Sequence, residues 1–164
     1  MINTITLQKA TIEDCDTIYC WRNDPTTREQ SFNSREILYE KHSQWLKKAL
    51  EDPKKFFYIG IDEKGKKYGV VRFDIKSKFS AEINIIVAPD KRGKGIASQL
   101  ILKSCSLFFS ETKRKLILAR IKESNSASVR AFQKVGFSKL FHYKEEDKER
   151  ILALVLLAPD RRIR

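Results

Sequence analysis

Cysteine is scarce in this chain and follows no cross-linking pattern. Cys15, Cys20 and Cys105 are odd in number and show no C-x-x-C spacing, which argues against a disulfide framework or a metal site and fits a reducing compartment. Long hydrophobic runs are missing too. No apolar stretch reaches the roughly 18 residues needed to span a bilayer, and the N-terminus MINTITLQKA lacks an apolar signal core. The expectation is a cytoplasmic protein with no membrane partner. Acidic residues are in deficit: 21 Asp and Glu stand against 33 Lys and Arg, a net charge of +12. That surplus attracts anions in general and identifies none of them. The basic residues scatter over predicted loops, helix ends and the tail, among them Lys47, Lys54, Lys66, Lys113, Arg114, Arg161, Arg162 and Arg164. Such scatter reads as a solvated surface rather than a nucleic-acid stripe. Repeats, low-complexity tracts and interdomain linkers are also lacking, and 164 residues suit one domain with its own core.

What is present is patterning. Residues 2–10 alternate as a strand does. Thr11 with Asp14 opens a helix that turns Ile12, Cys15, Ile18 and Tyr19 inward until WRNDP, residues 21–25, interrupts it. Asn33 with Glu36 gives a second capping signal. Leu38, His42, Trp45 and Ala49 follow at helical spacing, up to a stop at Asp52 and Pro53. From residue 56 the period becomes two, and residues 56–61 and 68–75 predict a hairpin around Gly65. Residues 82–87 are nearly all apolar and read as a central strand. Ala97, Leu100, Ile101, Cys105 and Phe108 then mark one face of a long helix, and residues 116–121 make a short buried strand. Asn125 or Ser124 caps a helix with Val129, Phe132 and Val135 inside, ending at Gly136. Residues 137–143 and 151–157 close the chain as two strands. The order predicts an α/β fold with a mixed sheet between helices.

The densest chemistry lies at residues 92–97, where Arg92, Gly93, Lys94, Gly95, Ile96 and Ala97 join the central strand to the long helix. Small residues at a helix N-terminus let backbone N–H groups approach an anion that the helix dipole favours. Arg92 and Lys94 add formal charge beside it. Two familiar phosphate loops do not fit. A Walker loop needs G-x-x-x-x-G-K-[ST], which residues 93–98 do not supply. The dinucleotide fingerprint is mimicked by Gly93, Gly95 and Ser98, but mid-chain, after a Pro-Asp-Lys-Arg insert, and with Ser at the third position.

The segment V-A-P-D-K-R-G-K-G-I-A instead resembles the acyl-CoA-binding motif of the GNAT superfamily of acetyltransferases, whose core [RQ]-x-x-G-x-[GA] is met by Arg92, Gly95 and Ala97. About thirty residues on, N-S-A-S-V-R-A-F-Q-K-V-G-F, residues 125–137, resembles the family's other motif, an Asn-capped helix ending in K-x-G-F. The resemblance implies an α/β (α+β) domain spanning residues 1–164: a mixed, mostly antiparallel sheet of about seven strands flanked by about four helices. It also implies acetyl-CoA as co-substrate and no metal. Ile86 and Val87 would offer backbone groups to the pantetheine arm, residues 92–97 would hold the pyrophosphate, and Asn125, Ser128 and Phe132 would line the other side.

Acetyl transfer to an amine needs a neutral nucleophile, an oxyanion donor and a proton for the thiolate. At pH 7 an α-amino-like amine is about a tenth neutral, a lysine only about once in 2,500 molecules. The resemblance implies Val87 N–H as oxyanion donor and Glu82 as base, directly or through a water, with Asn84 holding a water or a substrate group. An ordinary solvated strand-end glutamate is an equal reading of Glu82. Many relatives carry Tyr where this chain has Phe132, so the acid falls to Ser128, Tyr143 or solvent. Cys105 reads as a buried core thiol rather than an acetyl carrier.

The region before the hairpin shapes the acceptor site in this superfamily. W-R-N-D-P-T-T-R, residues 21–28, with the helix around H-S-Q-W, resembles bacterial enzymes that acetylate amino groups of nucleotide-linked sugars, including the pseudaminic acid pathway group, and more loosely ribosomal-protein Nα-acetyltransferases. On this resemblance Trp21, Arg22, Asn23 and Arg28 are the substrate residues: the arginines suit a diphosphate, and Trp21 or Trp45 a ring. The competing reading keeps Trp21, Trp45 and His42 in the core. Three functions stand: an acetyltransferase for a small amine, preferably on a nucleotide-sugar; one for a protein N-terminus or lysine; and a non-catalytic, basic nucleic-acid-binding module. Monomer and homodimer both remain open.

Overall fold

The computed structural model describes residues 4–144 and 149–159. Residues 2–3 of the expected first strand, residues 145–148 of the charged turn between the last two strands, and the tail arginines Arg161, Arg162 and Arg164 lie outside the described residues. Strands β1 (Thr6–Lys9), β2 (Lys55–Ile61), β3 (Lys67–Ile75), β4 (Ser80–Val87), β5 (Leu116–Lys122), β6 (Ser138–Lys144) and β7 (Arg150–Leu157) form one sheet in the order β1-β2-β3-β4-β5-β7-β6. Among the described residues only the β4–β5 pairing is parallel. The helices are α1 (Cys15–Asn23), α2 (Pro25–Gln30), α3 (Tyr39–Glu51), α4 (Ile96–Glu111) and α5 (Ser126–Lys134).

Among the described residues there are five helices, close to the about four expected, and the additional one follows from residues 24 and 25. The Asp24 carboxylate accepts the Thr27 N–H and Pro25 occupies the first helical position, so the expected interruption starts a new helix. The Asn33 signal misleads in the other direction. Its side chain accepts the Arg35 N–H in a local turn, and α3 begins only at Tyr39. Ile12 sits on a short 3-10 turn and is 49% exposed, not inward as its spacing implied.

Period-two alternation divides the core between the two faces of the sheet. Tyr58, Val71, Phe73 and Ile83 pack against Leu100 and Phe108 of α4, with Phe73 and Phe108 stacked at 4.3 Å. On the opposite face Phe57, Ile59 and Val70 meet Ile18 and Trp21 of α1 and Leu46 of α3. Gly60 and Gly69 are cross-strand partners that leave space for Leu100, which brings α4 close to the sheet.

The site is created where the sheet comes apart. β4 pairs with β5 only from Ser80–Leu116 to Glu82–Leu118, while β4 stays paired with β3 up to Val87 and β5 with β7 up to Lys122. Each half-sheet keeps its own partner and its own twist, so a gap opens between them. The N-terminus of α4 and the helix α5 meet beside it, with Ser98 Oγ donating to Ala131 O at 3.4 Å. No helix among the described residues is long and apolar enough to cross a membrane.

Candidate active site

The glycine turn leaves its backbone open on one side. Gly93 and Gly95 both have φ of +72°, and a Cβ added to either would meet no heavy atom within 4 Å. Only glycine takes this left-handed conformation without strain, and it leaves the space beside the backbone open. The first turn of α4, from Ile96, supplies N–H groups that lack intrahelical partners. The two flanking cations, however, are directed elsewhere. Arg92 reaches Asp24 at 2.8 Å and donates to Thr27 Oγ1 at 2.7 Å, and Lys94 Nζ donates to Asp90 O at 3.0 Å. What the turn leaves free is backbone N–H and the helix dipole rather than the formal charge that the sequence places there.

Strand β4 presents two chemistries. Ala88 N–H donates to Tyr68 O and Lys76 N–H to Ser80 O, so the even-numbered residues of β4 turn their backbone groups toward β3. Ile86 is thus committed to β3, which corrects its expected backbone role toward the pantetheine arm. Val87, one residue on, faces the gap. The side chains follow the same alternation: Asn84 and Ile86 line a cavity on the face of the sheet covered by α1 and α3.

That cavity measures about 230 Å³ and is walled by Arg22, His42, Trp45, Phe57, Arg72 and their neighbours. Its volume suits one ring. Trp45 is 41% exposed at the wall, with the Arg72 guanidinium 5.5 Å from its ring centre. The lining contains three cationic residues, Arg22, Lys41 and Arg72, and no carboxylate. Burial first, then Arg28 and Arg72, pulls Arg22 below the usual arginine value, so three guanidinium groups crowd together here. Four of the buried polar side-chain atoms found without a partner among the described residues are Arg22 Nη1, Arg28 Nε, Gln30 Oε1 and His42 Nε2, all within residues 22–42. Two of these residues, Arg22 and His42, line the cavity, and buried polar atoms of this kind are completed by a ligand or water.

Residues 4–138 match the Acetyltransferase (GNAT) domain. The chain belongs to the GNAT acetyltransferase family. It is an acyl-CoA-dependent N-acetyltransferase. Spermidine N(1)-acetyltransferase of Vibrio cholerae is 28% identical over 77% of this chain and 68% of its own length. Acetyltransferase PseH of Campylobacter jejuni is 26% identical over 84% of this chain and 82% of its own. Among solved structures, V. cholerae spermidine N-acetyltransferase with CoA and spermine superimposes with a TM-score of 0.87 at 21% identity, over 93% of this chain and 95% of that one. Aminoglycoside acetyltransferase AAC(6')-Ib with coenzyme A gives 0.81 at 18% identity, over 94% and 95%.

The remaining expected residues of this GNAT domain fall into distinct places. Glu82 is 9% exposed, with Oε1 accepting from Arg120 Nε at 3.0 Å and Oε2 lying 3.3 Å from Lys76 Nζ. Arg120 also donates to Tyr143 Oη at 3.4 Å and lies over the Phe32 ring. Asn125 caps α5 by accepting the Ser128 N–H at 3.1 Å. Phe132 is buried edge-on against Phe137. Cys105 is buried on α4 and its thiol is pushed up by burial, as the core reading expects. Trp21 is a correction: it is buried in the core with Cys15, Leu46 and Ala88 and does not line the cavity, although Ile18, one turn earlier on α1, does. Asn23 is another. Its side chain exchanges two hydrogen bonds with the backbone of Ile37, bracing the segment before α3. His42 is buried as the core reading held, yet it walls the cavity with Trp45. Sequence reasoning gave no site role to Arg72 or Ile37, which only the packing of the sheet against α1 and α3 brings to the cavity wall.

Proposed function

We propose that this enzyme transfers an acetyl group directly from acetyl-CoA to an amino group of a nucleotide-linked amino sugar. The observation that carries this reading is the pair of buried guanidinium N–H groups on Arg22 and Arg28, without protein partners, beside a cavity lined by cations and no carboxylate. Charged donors of this kind suit a phosphate, and they repel a polycation. Spermidine therefore fits this cavity poorly, whatever the V. cholerae relatives accept. Trp45 and Phe57 give one ring of the acceptor an apolar wall.

Acetyl-CoA, when bound, supplies a reactive thioester. The open turn at Gly93 and Gly95 and the first-turn N–H groups of Ile96 and Ala97 fit its pyrophosphate. Asn125 and Ser128 border the gap from α5, and Val87 N–H is the donor for the developing oxyanion. Asn84 holds the amine or a water at the cavity wall. Glu82, with both oxygens engaged by cations, acts in this proposal as a brace across β4 and β5 rather than as the base. An amine of low basicity needs little help from a base at pH 7. The test is an acceptor screen with thiol detection that includes a nucleoside-diphosphate 4-amino sugar, spermidine and an N-terminal peptide. Saturable CoA release with the first alone supports the reading; turnover confined to spermidine or the peptide refutes it.

A further inference from the structure

Arg92 stands in the acyl-CoA motif, yet its guanidinium is spent on the acceptor side of the molecule. One nitrogen lies 2.8 Å from Asp24 Oδ2 and the other donates to Thr27 Oγ1 at 2.7 Å. Asp24 has a second duty in the same place, accepting the Thr27 N–H at 3.0 Å to cap α2. The three groups close a small polar knot of which both ends are partly sheltered, Arg92 at 31% and Asp24 at 20% side-chain exposure. Beyond it, Glu29 O accepts from Lys122 Nζ at 2.8 Å, and the Phe32 ring lies 5.1 Å from the Arg120 guanidinium. The segment from Asp24 to Phe32 is thus fastened at one end to the anion turn and at the other to β5.

We propose that Asp24, with Thr27, is a positioning residue that withholds Arg92 from the pyrophosphate and uses it to fix α2 beside the acceptor cavity. The fold gives up donor affinity for a defined acceptor site. Arg28, whose Nε has no hydrogen-bond partner among the described residues, lies on α2 itself, one residue beyond Thr27, so its position is inherited from this knot. Burial raises the Asp24 carboxyl, but the Thr27 N–H and the Arg92 guanidinium outweigh it and hold the group below the usual carboxylate range, so it is ionised when it holds Arg92.

The inference rests on the cradle assigned above and not on the identity of the acceptor, so it is read with CoA alone. Asn is as good a helix cap as Asp, so Asp24→Asn keeps α2 while weakening the hold on Arg92. Titration calorimetry with CoA is expected to show tighter binding by Asp24→Asn, about tenfold if one charge-assisted contact to the pyrophosphate is gained. In the Arg92→Gln background the same substitution is expected to leave CoA affinity unchanged. Hydrogen exchange of residues 25–33 should quicken in Asp24→Asn. A merely structural role would weaken CoA binding or leave it alone, and either result overturns the inference. An equal gain in the Arg92→Gln background overturns it as well. If the unaltered protein fails to bind CoA, the cradle assignment falls and takes the inference with it, whereas a failed sugar-nucleotide screen leaves both standing.

Discussion

Replacing Gly69 by alanine tests how α4 is held against the strand that carries the site. A Cβ at residue 69 would lie 2.6 Å from Ile86 O, 2.8 Å from Leu100 Cδ1 and 3.2 Å from Val87 Cα. A strand glycine with no such neighbours gains about 0.5–1 kcal/mol when it becomes alanine, because the unfolded chain loses freedom. Here the first contact is a backbone carbonyl committed to the β3–β4 ladder, which cannot rotate away, so overpacking by about 1–3 kcal/mol is expected instead. For a chain of this size that lowers Tm by roughly 3–10 °C. The strain falls on Ile86, which lines the acceptor cavity, and on Val87, which faces the gap, so the KM values for both substrates should rise. Gly60→Ala provides the contrast. Its Cβ would meet side chains, Leu100 Cδ2 at 2.2 Å and Ile5 Cγ2 at 3.0 Å. In a Leu100→Ala background, which by itself costs about 3 kcal/mol, Gly60→Ala should lose its penalty, a coupling of at least about 1 kcal/mol. Gly69→Ala should keep most of its own, because Ile86 O remains. Urea unfolding of the six proteins decides the matter. A neutral or stabilised Gly69→Ala, or equal relief of both substitutions by Leu100→Ala, refutes the packing argument.

The other expectations concern charge. A double-mutant cycle on Asp24→Ala and Arg92→Ala should return a coupling of about 1 kcal/mol in urea unfolding, the size of a sheltered charge-assisted pair; strict additivity would deny that the contact forms in solution. Glu82→Gln should lower kcat by less than about tenfold, since its oxygens are held by Arg120 and Lys76; a loss of about 10²–10⁴ would restore it as general base. His42 lies below its ordinary value of 6.5, first through burial and then through Arg22, so the unfolded chain takes up a proton that the folded one resists. Stability present above pH 6.5 should therefore be lost as pH falls below it. The loss should be smaller in His42→Phe, since Arg22, Lys41 and Arg72 stay charged throughout that range; parallel pH profiles for the two proteins would count against it.

Local signals reached far into this fold. The hairpin around Gly65, the central strand, the glycine turn and the cap at Asn125 all appear where spacing placed them, because each is set by neighbours a few residues apart. The helix at Pro25 was also legible, since an Asp before a Pro is a start signal as well as a break. Asn33 shows the converse: its side chain takes the Arg35 N–H in a local turn, and the helix with the apolar face starts only at Tyr39.

Local patterning alone carried the kind of molecule: a glycine turn before α4 and a capped α5 thirty residues later pointed to the GNAT family, and residues 4–138 match its domain. Periodicity and glycine placement act within one turn or one strand, and such information survives in a string of letters. The tertiary structure decided what the charges do. Arg92 and Thr27 lie 65 residues apart and Arg120 and Glu82 lie 38 apart, so nothing local announces either contact. Where β4 leaves β5, which backbone groups face that gap, and why Trp45 rather than Trp21 walls the cavity all depend on how two half-sheets twist and which helix face they bury. Those are long-range packing outcomes, and only the folded chain expresses them.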